Sequence, residues 1–230
     1  MGKLKIILSL VFLSVSITVK AYNVDTLKRD SLLQTTGIKV VFKAGSAYKT
    51  NDNGFVIEGV PAFDTELWTT GPLVLFSSNG FIRLNSSGKV TQGVLAANIL
   101  AECPDNKYRE FRRGSRIFFD RHGIVFRGSP FESITTTIDN QIIHSAENSP
   151  IEFYQNGKIK FITPSTNIKI TSYEGVKVVL SANSPIKLSE NGIILSGYLA
   201  KKVNFSRQKE NINLSFGQQI HFDENGSIIY

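Results

Sequence analysis

The residues best suited to recognition chemistry lie together in one basic and aromatic stretch, residues 107–116. Its candidate binding residues are Lys107, Tyr108, Arg109, Phe111, Arg112, Arg113 and Arg116. Closely spaced cations attract anionic polymers, and aromatic rings between them can stack on a bound chain. The stretch therefore predicts a weak binding site for an anionic envelope polymer such as a cell-wall glycan. The alternative, which the sequence favours, is a strand with a solvated basic face.

No residue pattern in the sequence predicts catalysis or metal binding. The histidines His122, His144 and His221 are not spaced as a zinc site requires, and no phosphate-binding loop or nucleophile motif is present. Cys103 is the only cysteine, which excludes an intramolecular disulfide, and we expect a loop or packing thiol. We therefore predict that the protein is not an enzyme and has no catalytic residue, metal ion or cofactor.

A hairpin motif that recurs along most of the chain has to position these residues. Turn glycines recur at intervals of 34 or 35 residues, at Gly54, Gly88, Gly123, Gly157, Gly192 and Gly226. In the clearest copies, residues 151–159, 186–194 and 220–228, apolar and polar residues alternate around Asn-Gly. Such alternation is typical of a β-hairpin, and a regular period is typical of a repeat protein. The glycines are therefore predicted to be structural.

The positions of the apolar residues predict how each hairpin pairs. A three-residue loop at 155–157 sets Phe153 opposite Ile159 and Ile151 opposite Phe161, which gathers their side chains on one face. A two-residue loop would scatter them. We therefore predict a type I turn followed by a left-handed glycine.

The chain as a whole is predicted to be all-β. Turn residues arrive every eight to twelve positions after residue 37, and no segment has a helical period. The units, each with four short strands in two hairpins, are 48–81, 82–116, 117–150, 151–185, 186–219 and a partial 220–230. We expect stacked antiparallel hairpin repeats that form a solenoid-like or elongated twisted-sheet body. A closed barrel or a sandwich is the alternative.

The first residues of the chain predict where the protein is located. Residues 1–21 have the pattern of a signal peptide with cleavage near Ala21, which predicts a secreted or periplasmic protein. Residues 22–47 are expected to form an N-terminal linker and cap strand, and residues 48–230 the repeat domain. No later stretch is apolar enough to span a membrane. The signal segment holds three lysines and no acidic residue, so the formal charge of +7 falls to +4, which argues against nucleic acid as a partner.

The run Ile-x-Phe-x-x-Asn-Gly-x-Ile-x-x-Gly-x-Leu resembles tandem glycine-turned hairpin repeats of exported bacterial proteins, and loosely MORN-type repeats. The resemblance covers most of residues 48–230. MORN units are shorter and carry Tyr and Trp at set places, whereas Trp68 is the only tryptophan here. It implies a stacked β array with a binding or scaffolding role and brings no catalytic residue.

Two functions remain open from the sequence. The first is an exported, non-enzymatic repeat protein that binds an envelope component or a partner protein through an exposed sheet face. The second is a periplasmic lipid- or glycan-handling protein, since residues 88–93 resemble strands of lipopolysaccharide-transport β-jellyrolls. The strand that ends the last hairpin, near Ile228, is also expected to offer an edge for self-association.

Overall fold

The computed structural model describes residues 23–229, and all regular structure in that range is β-strand. The strands are β1 (Asn23–Thr26), β2 (Ser31–Gln34), β3 (Lys39–Phe42), β4 (Ala47–Thr50), β5 (Val56–Gly59), β6 (Thr65–Trp68), β7 (Leu73–Phe76), β8 (Ile82–Leu84), β9 (Val90–Val94), β10 (Ile99–Glu102), β11 (Tyr108–Phe111), β12 (Arg116–Phe119), β13 (Val125–Gly128), β14 (Thr135–Ile138), β15 (Gln141–His144), β16 (Ile151–Phe153), β17 (Ile159–Ile162), β18 (Ile168–Thr171), β19 (Lys177–Leu180), β20 (Ile186–Leu188), β21 (Ile194–Tyr198), β22 (Val203–Arg207), β23 (Glu210–Leu214), β24 (Gln219–Phe222) and β25 (Ile228–Ile229). The predicted signal peptide and its cleavage site lie outside the described residues.

Thirteen of these strands form one antiparallel main sheet. Its order is β1-β4-β5-β8-β9-β12-β13-β16-β17-β20-β21-β24-β25. The other twelve strands form six two-stranded cover hairpins, β2–β3, β6–β7, β10–β11, β14–β15, β18–β19 and β22–β23. The prediction of an all-β array of stacked hairpins is confirmed. The main sheet is open, with β1 and β25 as its two edges, so the alternative of a closed barrel is wrong.

The hydrophobic core lies between the main sheet and the cover hairpins. Ile82 and Val90 of the main sheet and Phe76 of a cover hairpin are each 0% exposed. Burial of such a side chain contributes about 1.5–3 kcal/mol before conformational entropy is counted. A Cβ on Gly59 would lie 2.6 Å from the ring of Phe42, so this glycine makes room for the aromatic ring.

One unit replaces this glycine with Ile162, and the structure explains the exception. Isolated bridges align Phe111 with Pro130 in one unit and Ser145 with Pro164 in the next. Ser145 thus occupies the place that Phe42, Phe76 and Phe111 fill in the preceding units and Leu180 fills in the next. Because the aromatic ring is missing there, the larger Ile162 fills the space and is 1% exposed.

The hairpins of the main sheet pair as predicted at the turn and differently beyond it. Phe153 lies opposite Ile159, and the Gly157 amide donates to the Tyr154 carbonyl at 3.1 Å with φ at 82°, which confirms the three-residue loop. The second predicted pair is wrong, because Glu152 rather than Ile151 lies opposite Phe161. A β-bulge adds one residue to the second strand at this point.

The residues predicted as an N-terminal linker and cap strand follow the same plan. Strand β1 pairs with β4 in the main sheet, and β2–β3 is the first cover hairpin. Leu27 exchanges backbone hydrogen bonds with Gly45 and Ser46, as Leu95 does with Gly114 and Ser115 in a later unit. Residues 23–47 therefore extend the repeat array.

The tips of the cover hairpins contact turns of the main sheet further along the chain. Gly37 of β2–β3 lies against Gly88, and Gly71 of β6–β7 lies against Gly123 so closely that a Cβ on either turn glycine would overlap backbone atoms. The Thr70 hydroxyl also donates to the Asp120 carbonyl at 2.6 Å. Each contact skips one hairpin of the main sheet, so the cover layer is staggered against the sheet.

Candidate binding surface

The face of the main sheet that points away from the cover hairpins carries a continuous row of paired side chains. Strand alternation places one residue from each strand between β4 and β25 on this face. We call this set the outer row: Lys49, Glu58, Arg83, Gln92, Phe118, Arg127, Glu152, Phe161, Lys187, Ser196, His221 and Ile229. Twelve strands at the usual interstrand spacing give the row a length of roughly 50 Å.

The β-bulge adds a second residue from each hairpin to the same face. Phe126 precedes Arg127 in β13, and its ring centroid lies 5.9 Å from that of Phe118. Lys160 precedes Phe161 in β17, and its Nζ lies 2.7 Å from Glu152. The bulge therefore doubles the side chains that each second strand presents on the outward face.

Ion pairs across strands hold most of the charged members of the outer row in place. Glu58 lies 3.1 Å from Lys49 and 2.7 Å from Arg83. Burial alone would raise the pKa of Glu58, but hydrogen bonds and charge from Arg83 and Lys49 hold it below its usual value. Glu152 is likewise bracketed, by Lys160 at 2.7 Å and by Arg127 at 3.5 Å.

Basic residues outnumber acidic residues on this face. The basic set is Lys49, Arg83, Arg116, Arg127, Lys160 and Lys187, while Glu58 and Glu152 are the acidic residues among the described outward positions. Each glutamate is already shared between two cations, so the surface keeps an excess of positive charge. An acidic partner would be attracted to it.

Aromatic rings alternate with these cations. The guanidinium of Arg127 lies 5.1 Å from the Phe118 ring centroid, and that of Arg116 lies 4.6 Å from the centroid of Phe81. Each such contact contributes about 0.5–1 kcal/mol at an exposed site and fixes the position of the guanidinium. Arginine and aromatic residues are the types enriched at the centres of protein interfaces.

The predicted binding residues of 107–116 do not form one surface. Phe111 is fully buried in the core. Arg112 stacks on Phe131 at 4.4 Å and donates to the Phe131 carbonyl at 3.0 Å. Arg116 belongs to the outward face of the main sheet. The exposed residues on the opposite, cover side are Lys107, Tyr108 and Arg113.

Arg109, the most central of the predicted residues, forms an internal ion pair. Its guanidinium donates two hydrogen bonds of 2.6 Å to Asp105 and lies 5.2 Å from the ring centroid of Phe153. Burial alone would raise the pKa of Asp105, but the bonds and charge of Arg109 hold it below its usual value. The side chain of Arg109 is 14% exposed, so its charge is satisfied within the protein.

The remaining chemically active side chains are dispersed. No three His, Cys, Asp or Glu side chains of residues 23–229 are grouped to hold a metal ion. His144 is within 2.9 Å of the Thr135 hydroxyl, and His221 lies in the outer row. Cys103 is fully buried, and burial raises the pKa of its thiol. This thiol is therefore not poised as a nucleophile.

The sequence contains a signal that identifies the outer row. The outward residues differ between copies of the hairpin, as Arg83, Phe118, Glu152 and Lys187 show at one equivalent position. Their inward neighbours stay apolar. When the residue type at one hairpin position differs between repeats while its neighbours stay apolar, that side chain does not pack in the core.

No family model matches the chain, and no curated protein matches it. The resemblance to MORN-type repeats therefore stays a prediction. Among the described residues there is no helix with the length and apolar character needed to cross a membrane.

Proposed function

We propose that this chain is a non-enzymatic binding protein that holds an acidic partner protein against the outward face of its main sheet. The observation that carries the proposal is the middle of the outward face, where Arg116, Arg127 and Lys160 lie over the rings of Phe81, Phe118 and Phe161. Side chains that ion pairs and cation–ring contacts already hold in place lose little freedom when a partner binds. Its excess positive charge favours approach of an acidic surface.

The filled interior supports this function over lipid handling. The space between the main sheet and the cover hairpins is occupied by side chains such as Phe42, Phe76 and Phe111, each 0% exposed. An acyl-binding protein needs an apolar groove between its sheets. The periplasmic lipid-handling alternative therefore has less support than binding at the outer face.

Export is part of the proposal and rests on the sequence of residues 1–21. Their basic start and apolar run have the pattern of a secretory signal. The partner would accordingly be a protein of the envelope or the cell exterior. Without the signal segment, the repeat array would carry the charge of +4 that the sequence predicts.

A pair of matched variants tests the proposed surface. The outer-face variant combines Arg116→Gln, Arg127→Gln and Lys187→Gln. The control variant combines Lys39→Gln, Lys43→Gln and Lys177→Gln, which lie exposed on or beside cover hairpins and change the net charge equally. Circular dichroism and thermal unfolding should show both variants folded, because none of the six side chains is buried.

The measurement is capture of partners from an envelope fraction, followed by titration of the purified partner. Wild type and the control variant should retain the same acidic protein, and the outer-face variant should bind it at least about tenfold more weakly. Binding should also weaken as salt is raised. Equal affinity for the outer-face variant would contradict the proposal, as would a partner that survives protease treatment of the fraction.

A further inference from the structure

One contact in the staggered cover layer is missing. Four cover-hairpin tips touch a turn of the main sheet, in the pairs Gly37 with Gly88, Gly71 with Gly123, Asp105 with Gly157, and Tyr173 with Gly226. The tip of β14–β15, Asp139 and Asn140, corresponds to the turn at Asn191 and Gly192. No backbone hydrogen bond like that from Tyr173 to Gly226 joins this tip to the turn, and a Cβ on Gly192 would meet no atom within 4 Å, so the turn is left uncovered.

The β14–β15 tip differs from the tips at Gly37 and Gly71. At Gly37 and Gly71 the tips are glycines, which allow backbone to approach backbone. Asp139 and Asn140 carry side chains and both adopt the left-handed conformation, with φ of 48° and 59°. The Gln141 amide donates to the Lys169 carbonyl, which ties this hairpin to its neighbour in the cover layer.

Two adjoining cavities occupy the gap. One has a volume of about 360 Å³ and the other of about 330 Å³, and Ile138, Asn191 and Gly192 line both. These volumes lie at the lower end of the about 300–1,000 Å³ typical of small-molecule sites. The gap is therefore a two-chambered site with Asn191 at the junction.

The larger chamber is basic. Lys107 and Lys158 line it, and neither forms an ion pair within residues 23–229. The carboxylate of Asp105, which also lines the chamber, is already held by two hydrogen bonds from Arg109. The two lysines therefore remain available for an anionic group of a ligand.

The smaller chamber offers uncharged and acidic hydrogen-bonding groups. Asp139, Thr171, Tyr173 and Asn225 line it together with Asn191. Hydroxyl and carboxamide groups both donate and accept hydrogen bonds, so this set suits a ligand rich in hydroxyls.

The largest apolar side chains that line the chambers are mostly buried. Ile138, Ile194 and Phe222, which line the smaller chamber, are 3%, 6% and 4% exposed. Phe153 and Leu188 of the larger chamber are 4% and 3% exposed. These five side chains already pack in the core, whereas Ile159, Ile170 and Ile193 keep partly exposed surface that can lie against the apolar face of a sugar ring.

We propose that this gap binds an acidic oligosaccharide. The anionic group of one sugar lies between Lys107 and Lys158, and the hydroxyls of the adjoining ring form hydrogen bonds with Asp139, Asn191 and Asn225. The site is on the cover side of the molecule and is independent of the outer row.

A blocking substitution with a matched control tests the site. Asn191→Trp places a large ring at the junction of the chambers, whereas Asn53→Trp alters the same turn position of the first sheet hairpin, where a Cβ on Gly54 meets nothing within 4 Å. The probe is a trimer of galacturonic acid, titrated by nuclear magnetic resonance. Wild type and Asn53→Trp should bind alike with shifts at Thr137 and Gly192, and Asn191→Trp should lose at least about tenfold in affinity.

Charge variants separate the anionic group from the sugar rings. Lys107→Gln with Lys158→Gln should weaken the galacturonate trimer at least about tenfold and leave an uncharged galactose trimer unchanged. Lys39→Gln with Lys177→Gln serves as the control of equal charge. Failure of wild type to bind the galacturonate trimer at millimolar concentration overturns the proposal. Equal binding by Asn191→Trp, or tighter binding of inorganic phosphate or an acidic peptide, overturns it too.

Discussion

Two turn glycines show how one residue type is required for different reasons. Gly123 and Gly192 both have φ of +84°, a backbone conformation that favours glycine. Gly123 also lies against the Gly71 backbone, whereas Gly192 faces the gap beside β14–β15. Gly123 is therefore constrained by both conformation and contact, and Gly192 by conformation alone.

Alanine at these two positions should separate the two constraints. Gly192→Ala should lower the free energy of unfolding by about 1–2 kcal/mol, the penalty for a left-handed non-glycine residue. Gly123→Ala should lower it by about 1–3 kcal/mol more, because its Cβ overlaps backbone atoms of Gly71. Urea denaturation at neutral pH provides the measurement. Equal losses would show that the contact between the turns contributes nothing.

The ion pair of Arg109 with Asp105 gives stability a specific dependence on pH. Because Arg109 holds the pKa of Asp105 lower in the folded protein than in the unfolded chain, the pair stabilises the fold at pH above the unfolded value of about 3.9. This contribution is lost as the pH falls through the lower, folded-state pKa. Removal of the arginine should matter at neutral pH and much less in acid.

Arg109→Gln should therefore lower the free energy of unfolding at pH 7 by about 1.5–3 kcal/mol. The difference from wild type should shrink when urea denaturation is repeated below the unfolded pKa. Arg113→Gln, at an exposed residue two strand positions beyond β11, is the control and should change little at either pH. A difference that stays constant with pH would contradict the role of Asp105.

At the scale of elements, the two kinds of hairpin differ in how they are held. Strand β12 pairs with both β9 and β13, whereas β15 pairs along its length with β14 alone. A cover hairpin can therefore open by losing its core contacts, without breaking hydrogen bonds to a further strand. Main-sheet strands lack that local route.

Amide exchange should detect this difference. The amides of β12 should have an opening free energy at least about 1.4 kcal/mol above those of β15, a tenfold slower exchange. Mass spectrometry at a series of low urea concentrations provides the measurement. The β15 amides should open with a small denaturant dependence, and the β12 amides with that of global unfolding. Identical values would mean that both layers unfold as one unit.

At the scale of the whole molecule, the repeat was predictable and the second layer was not. The spacing of the glycines and the pair Phe153 with Ile159 follow from periodicity, because a core face requires a fixed register. Nothing in that periodicity distinguishes a cover hairpin from a sheet hairpin, since both alternate apolar and polar residues. The bulge at Lys160 also leaves no mark in the alternation of apolar and polar residues, so it is visible only in the pairing of the strands.

The candidate surface was predictable only in part for the same reason. Residues 107–116 are adjacent in sequence, but alternation sends Phe111 inward, and Arg116 starts a strand of the other layer. The contact of Phe118 with Phe126 could not be inferred, because it depends on the extra residue that the bulge adds. Sequence proximity indicated a patch, whereas the actual surface runs across strands rather than along one.

The stagger of the cover layer has a mechanical consequence. A boundary between consecutive units of the main sheet is crossed by a cover hairpin whose tip rests on a later turn, as Gly71 rests on Gly123. Tension applied along the direction of stacking must therefore separate a strand pair and a tip contact together. Of the five main-sheet turns from Gly88 to Gly226, the turn at Gly192 is the one without a tip contact, and a molecule bound in the gap would connect the two layers there.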